Sequence, residues 1–169
     1  GDLKHEFGTI SEQEWRHTLK ILDFLGEHCR SILLIKGNHD TILGPIAKKR
    51  NVSIVESAAI GSILICHGDK IIDTKKYNTV IIGHEHPAIS LRHGPRAETY
   101  KCYLVGKYRG KALVVQPAFN LLLEGTDIIK DAILSPYLNQ ISLDSFNVFV
   151  VEDKIYDFGK VKNLRKIND

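Results

Sequence analysis

Apolar residues recur at helical spacing near the start of the chain. Ser11 followed by Glu14 has the spacing of a capping box, which marks the first turn of a helix. The apolar positions that follow are three or four residues apart: Trp15, Leu19, Leu22 and Leu25. This pattern predicts an amphipathic helix that runs to about His28.

Short runs rich in Ile and Val come next, and they predict buried strands. The run from Ser31 to Ile35 is continuously apolar and is followed by Gly37, as is typical of a strand covered on both faces. A short helix is predicted over residues 42–50. Three further strands are predicted over residues 52–55, 62–66 and 79–82.

The C-terminal half predicts mostly β structure. Residues 100–105 and 111–115 flank the stretch GKYRG, and residues 146–151 and 154–158 flank Glu152-Asp153, so each pair has the form of a hairpin. No repeat or linker marks a boundary. We therefore expect a single α/β domain over residues 1–169.

Composition narrows the class of protein without naming a partner. The chain has 169 residues, is 43% hydrophobic and carries a net charge of +3, which is too small to indicate a nucleic-acid partner by itself. Three cysteines without C-x-x-C spacing favour a reducing cytoplasm. The longest apolar runs fall far short of the roughly 18 residues of a membrane span. We expect a cytoplasmic protein with no membrane partner.

The beginning of the chain has the composition of an internal segment. The sequence has no Met at any position, and it opens with Gly1-Asp2, a pair that normally follows a strand. We expect that further residues precede it in the natural protein.

Four polar clusters carry the candidate chemistry: GDLKH at 1–5, GNHD at 37–40, CHGD at 66–69 and GHEH at 83–86. Three of them directly follow a predicted strand. Binding sites gather at the carboxyl ends of strands in α/β sheets, so we expect these loops to converge.

The clusters together offer oxygen and imidazole donors: Asp2, Asn38, His67, His84 and His86. These donors include no thiolate. They suit a centre of Mn²⁺, Fe or Zn²⁺ better than they suit a structural zinc site. In an extended backbone, His84 and His86 would project to the same side. Any single one of these residues is more often a solvated or capping group, and Asp40 is also a favoured N-cap, so the hypothesis depends on the four clusters together.

In their order along the chain, GD, GNHD, HG and GHEH resemble the motifs of the calcineurin-like metallophosphoesterase superfamily. The stretches GDLKHEFG, GHEHPAI and PAFNLLLEG further resemble the archaeal phosphoesterases related to the SbcD nuclease, and that likeness covers essentially the whole chain. The resemblance implies a two-sheet α/β/β/α sandwich that lacks its first strand and first motif here. It also implies a hydrolase acting on a phosphate ester.

The resemblance implies a binuclear centre of two divalent ions, Mn²⁺ with Fe, Ni or Zn²⁺ as alternatives. Asp2 would bridge both ions and Asn38 would bind through its side-chain oxygen, with His67, His84 and His86 as further ligands. The missing first motif, an Asp-x-His, would supply two more ligands.

The resemblance also implies a mechanism, in which a hydroxide bridging the ions attacks a phosphodiester in line. His39 would protonate or stabilise the leaving oxygen, and Asp40 would steady the loop or the His39 ring. Many relatives carry an Asp partner for this histidine at the position of His5, so His5 here is a candidate substrate contact instead.

Three alternatives remain open at this stage. The shared metal core also fits a phosphomonoesterase, and a non-catalytic binding or assembly module could keep the fold without activity. A nuclease subunit is the third. Within the basic stretch at 90–101, Arg92 and Arg96 could contact phosphates or nucleic acid, although such a stretch is more often a solvated loop.

Overall fold

The computed structural model describes residues 1–5, 8 and 10–168 and has a mixed α/β fold. Contacts divide the chain into two compact units, Gly1–Ala58 and Ala59–Asp169. The expectation of a single domain stays a prediction. Three helices lie in the described residues: α1 (Glu12–His28), α2 (Gly44–Lys49) and α3 (Val161–Asn168). Within that part of the chain, no helix combines the length and apolar character that a membrane span requires.

Eleven strands are described: β1 (Leu33–Ile35), β2 (Ser53–Val55), β3 (Ser57–Ile60), β4 (Ile63–Cys66), β5 (Thr79–Ile82), β6 (Pro87–His93), β7 (Arg96–Tyr108), β8 (Lys111–Val115), β9 (Thr126–Asp127), β10 (Asn147–Val151) and β11 (Ile155–Lys160). The strands predicted at 52–55, 62–66 and 79–82 are confirmed to within one residue at each end.

The first unit is built on the predicted helix. The Ser11 hydroxyl accepts a hydrogen bond from the Glu14 backbone N–H at 3.2 Å, which confirms the start of α1. The strands β1 and β2 pair in parallel, and α2, with Pro45 in its first turn, connects them. A small apolar core joins these elements: Leu22, Leu43, Ile46, Ala47 and Val52.

The prediction that the strand at 31–35 is buried on both faces is wrong. Leu33 is 52% exposed, whereas Ile32 and Leu34 pack against the core of this unit. Ile32 and Leu34 lie on the face of the strand that carries this core, and Leu33 lies on the opposite face. The apolar run therefore alternates between core and surface.

The second unit contains a mixed sheet of the order β11-β10-β7-β8-β5-β4-β3, except for the first two residues of β3. Its middle is parallel: β5 pairs with β4 on one side and with β8 on the other. Val80 and Ile82 on β5 are fully buried, as a central strand requires. The carboxyl ends of β4 and β5 therefore lie side by side at one edge of the sheet.

Both predicted hairpins are confirmed. β7 and β8 pair antiparallel around Arg109-Gly110, where both residues have positive φ (49° and 81°) as a type I′ turn requires. β10 and β11 pair antiparallel around residues 152–154. β7 extends further than predicted and continues through most of GKYRG.

The charge of the basic stretch at 90–101 suggested a solvated loop, but the structure shows strands there. Residues 87–93 form β6, which pairs antiparallel with the first half of β7 through a turn at Gly94-Pro95. Gly94 has a φ of 60°, which this turn needs. A strand can carry charged side chains on its solvent-exposed face. The charges in this stretch therefore did not indicate β structure in the sequence.

The stretch PAFNLLLEG forms an exposed turn that one lysine holds in place. The Lys101 ammonium donates to the carbonyl of Ala118 at 3.2 Å and to the carbonyl of Asn120. The apolar side chains that follow are unusually open to solvent: Phe119 is 100% exposed, and Leu121 and Leu122 are each 91% exposed.

The three cysteines are all unbonded and differ in exposure. Cys29 is exposed at the end of α1, and Cys66 and Cys102 are buried in strands. The Cys66 thiol lies 3.7 Å from the hydroxyl of Tyr137. Burial raises the pKa of both buried thiols, that of Cys102 to about 12.

Candidate functional site

In the first unit, a tight turn follows β1 and carries the GNHD cluster. The Asp40 N–H donates to the carbonyl of Gly37 at 3.2 Å, which closes the turn around Asn38 and His39. Both of these side chains are half-buried, whereas Asp40 is only 2% exposed. The turn thus presents an amide and an imidazole and keeps the carboxylate inside.

The Asp40 carboxylate binds backbone N–H groups. Oδ2 accepts from Asp2 at 2.7 Å and from Gly37 at 2.9 Å, while Oδ1 accepts from Leu3 at 2.9 Å and from Lys4 at 3.4 Å. The sequence left a choice between a helix cap and a steadying role. The geometry favours the second, because this carboxylate joins the GDLKH segment to the GNHD turn.

Asp2 lies directly against the turn. Its Oδ1 accepts the His39 backbone N–H at 3.0 Å. A Cβ placed on Gly37 would lie 2.1 Å from that same oxygen, so only glycine permits this approach. Asp2 itself has a φ of 57°, a left-handed conformation that Asp tolerates better than most residues. The first unit therefore brings together Asp2, Asn38 and His39.

The His39 ring has a main-chain partner. Its Nδ1 hydrogen-bonds to the carbonyl of His5, and the two imidazole rings stack with centroids 6.1 Å apart. A carbonyl can only accept, so Nδ1 carries the hydrogen and the basic lone pair of the neutral ring is on Nε2. His5 thus contributes its main chain at the position where the resemblance places a carboxylate partner.

In the second unit, the parallel strands β4 and β5 position two histidines. The His67 carbonyl accepts the N–H groups of Gly83 and His84, each at 2.8 Å, which continues the strand pairing beyond the sheet. His67 Nε2 and His84 Nδ1 are 3.2 Å apart. The sheet register thereby brings together two residues that are 17 positions apart in sequence.

This separation fits a metal as well as a hydrogen bond. Two nitrogens that each lie about 2.1 Å from one ion are about 3 Å apart in tetrahedral or octahedral geometry. A pair of imidazoles beyond the ends of two parallel strands suits a divalent transition metal. The residues present in this unit therefore fit the expected ion.

The extended backbone that would let His84 and His86 project to the same side is not formed. The His86 N–H donates to the Gly83 carbonyl at 3.0 Å, so residues 83–86 form a turn. His86 has a φ of 50°, and its carbonyl accepts the Thr126 N–H at 2.9 Å. The alternation rule holds for strands, and β5 has already ended at Ile82.

Sequence reasoning missed Glu85, which anchors this turn. It is fully buried, and its Oε2 accepts the backbone N–H groups of Leu134 at 3.0 Å and Ser135 at 2.7 Å. The Ser135 hydroxyl donates to the carbonyl of Gly68 at 2.9 Å, in the loop that follows His67. One short segment therefore fixes both histidine loops. The only signal in the sequence was a carboxylate between two candidate ligands.

Arg92 and Arg96 line one open cavity of about 300 Å³ on the β6–β7 hairpin. Glu98 lies in the same cavity, and its carboxylate accepts a hydrogen bond from the Tyr100 hydroxyl at 2.5 Å. The cavity thus combines two positive charges with one negative charge. Its role as a phosphate contact stays a prediction.

Comparisons with protein-family models, curated proteins and solved structures gave no match to this chain.

Proposed function

We propose that this chain is a metal-dependent phosphoesterase that hydrolyses a phosphodiester. The observation that carries the proposal is the imidazole pair His67–His84, held 3.2 Å apart at the ends of two parallel strands. The loops that follow these two strands carry histidines whose ring nitrogens face each other, which is an arrangement expected of metal ligands.

The first unit supports the proposal independently. The turn at residues 37–40 carries an amide and an imidazole, those of Asn38 and His39. The Asp2 carboxylate lies against this turn and accepts the His39 backbone N–H. We propose that Asp2 and Asn38 in the first unit, and His67, His84 and His86 in the second, are metal ligands, in the two-sheet sandwich that the motifs indicate. The ions would be Mn²⁺, with Fe, Ni or Zn²⁺ as alternatives.

When bound, the ions would neutralise phosphate charge and supply a nucleophilic hydroxide at neutral pH. The described residues account for the remaining tasks. His39 would take up a proton on the Nε2 lone pair and pass it to the leaving oxygen, because its Nδ1–H is committed to the His5 carbonyl. Asp40 would keep Asp2 and the turn in register through its four backbone hydrogen bonds.

The three unbonded cysteines suit a protein of the reducing cytoplasm, which we propose as its compartment. The substrate would be a phosphodiester, and Arg92 and Arg96 are proposed to contact it. A nucleic-acid strand is one such substrate, and binding that weakens steeply with salt would support it.

The first test measures Mn²⁺ bound per chain and the accompanying rise in melting temperature, for the wild type and His84→Ala. A matched control is His28→Ala, which removes an exposed histidine at the end of α1. Binding lost in His84→Ala alone supports the ligand assignment. The absence of Mn²⁺, Fe, Ni and Zn²⁺ binding in the wild type would refute the proposal.

The second test compares hydrolysis of bis(p-nitrophenyl) phosphate with that of p-nitrophenyl phosphate. Preference for the diester supports the proposed reaction. Preference for the monoester would make the chain a phosphomonoesterase. Metal binding without turnover of either would favour a non-catalytic binding module.

A further inference from the structure

Glu14 occupies the third position of helix α1 but does not complete a capping box there. In that motif the glutamate side chain turns back to the N-cap residue, which here is Ser11. Instead, Glu14 Oε1 accepts the backbone N–H of His5 at 2.7 Å. The first turn of α1 therefore binds the main chain of His5, nine residues upstream.

The His5 main chain connects Glu14 to the candidate catalytic ring. Its N–H donates to Glu14, and its carbonyl accepts from His39 Nδ1. These two groups flank a single Cα, so a bond on each side restricts how the carbonyl can point. His5 belongs to neither a helix nor a strand, and its carbonyl direction depends on such anchors.

The start of α1 does not depend on the Glu14 side chain. The helix is capped by the Ser11 hydroxyl, which accepts the Glu14 backbone N–H. A substitution at Glu14 keeps that backbone bond and removes the side-chain bond to His5. The two functions of this position can therefore be separated by mutation.

We infer that Glu14 is a positioning residue for His39, acting through the main chain of His5. The inference rests on the proposed phosphoesterase function. Glu14 fixes the His5 carbonyl, which in turn fixes the orientation and the Nδ1–H tautomer of His39. In this chain, the Glu14 carboxylate thus acts on His39 through the main chain of His5, where a direct carboxylate partner would act on the ring itself.

Glu14 also lines an open cavity of about 330 Å³ together with Lys4, His5 and His17. In a Glu14→Ala variant, water can therefore accept the His5 N–H in place of the carboxylate, but the His5 carbonyl would no longer have a fixed direction. The expected defect is thus in the placement of His39 rather than in folding.

The test uses Glu14→Ala, Glu14→Gln and the control Glu12→Ala, which changes an exposed glutamate on the same helix turn. Methyl p-nitrophenyl phosphate and methyl phenyl phosphate serve as substrates, because the phenyl leaving group needs a proton far more. We expect Glu14→Ala to lower kcat on the phenyl ester roughly tenfold to a hundredfold with KM unchanged. The nitrophenyl ester should be little affected, and Glu14→Gln should restore the rate through its amide oxygen.

A double mutant separates positioning from general damage. In a His39→Ala background, Glu14→Ala should cause no further loss, because the ring it orients is gone. Additive losses, or equal losses on both substrates, would overturn the inference while leaving the phosphoesterase function intact.

A spectroscopic readout covers the case in which the wild type turns over no phosphodiester. ¹⁵N NMR of the histidine rings should then find the Nδ1–H tautomer of His39 in the wild type and Glu14→Gln. Mixed tautomers in Glu14→Ala support the positioning contact, and an unchanged spectrum overturns it.

Discussion

The Asp40 carboxylate accepts the backbone N–H of Asp2 at 2.7 Å, although 38 positions separate the two residues. The same carboxylate binds three further N–H groups and is almost fully buried. A buried carboxylate with this many donors cannot be removed without leaving several polar groups unpaired. Asp40 is therefore a structural clasp of the first unit.

Asp40→Ala should lower the free energy of unfolding of the first unit by about 2–4 kcal/mol, because buried N–H groups lose their acceptor. Trp15 is the single tryptophan and packs against the core of this unit, so its fluorescence in a urea titration reports the change. Asp23→Ala, which breaks an exposed ion pair with Arg50, should have a smaller effect. Equal effects of the two variants would contradict the clasp.

His39→Ala should lower kcat on a phosphodiester by about a hundredfold or more, because the leaving oxygen loses its proton donor. Metal content should stay near that of the wild type, since His39 is proposed to act beside the ions. Elemental analysis and kinetics on the same preparation check both points. A parallel loss of metal would instead make His39 a ligand.

His67→Ala should weaken Mn²⁺ binding by more than about a hundredfold, because the buried imidazole is one of the paired donors. The stabilisation that saturating Mn²⁺ gives the wild type should disappear with it. Calorimetric titration and thermal unfolding measure the two effects. Retained affinity would indicate that the His67–His84 contact is only a hydrogen bond between rings.

Unfolding should become easier as the pH rises above 9. The pKa of the Cys102 thiol is raised from 9.0 to about 12 by burial and, to a lesser extent, by Asp127. The unfolded thiol loses its proton near pH 9 while the folded thiol keeps it, so this contribution to stability is complete below pH 9 and is lost between pH 9 and 12. Cys102→Ala should remove a slope of about 1.4 kcal/mol per pH unit.

Urea titrations at pH 8, 9, 10 and 11 measure that slope. Cys29→Ala is the matched control, because this exposed thiol should leave the slope unchanged. Identical slopes for the wild type and Cys102→Ala would show that other groups cause the alkaline loss.

Lys101→Ala should make the exposed turn at residues 118–123 easier to cut, because two carbonyls lose the ammonium that holds them. Chymotrypsin, which cleaves after Phe and Leu, gives the rate directly. Lys107→Ala changes an exposed lysine on the same strand and should leave the rate unchanged. A turn that is cut equally fast in both variants has another anchor.

Local patterns were enough to predict the regular elements. Helix α1 follows from its Ser11 cap and the spacing of its apolar residues, and the β7–β8 hairpin follows from its glycines. In each case the decisive interactions connect residues close in sequence. The elements missed entirely were β3, β6, β9 and α3. The strands β3 and β9 are short, and the basic residues of α3 hide its pattern of burial.

The candidate site was predictable only as a set of residues. The motifs singled out His67, His84 and Asp40, but the contacts that arrange them join positions far apart in sequence. Nothing near Glu14 indicates that its carboxylate binds His5, and nothing near Glu85 indicates burial against Ser135. The absence of an extended backbone at His84 and His86 has the same origin, since a turn held by Gly83 takes its place.

Unequal exposure of the thiols makes this chain suitable for labelling without mutagenesis. Cys66 and Cys102 are shielded and hold their protons, whereas Cys29 is open to solvent at the end of α1. A maleimide dye at neutral pH should therefore attach at one position. That dye would report on the first unit alone, and its fluorescence during a Mn²⁺ titration would show whether ions reach Asp2 and Asn38 as well as the histidines.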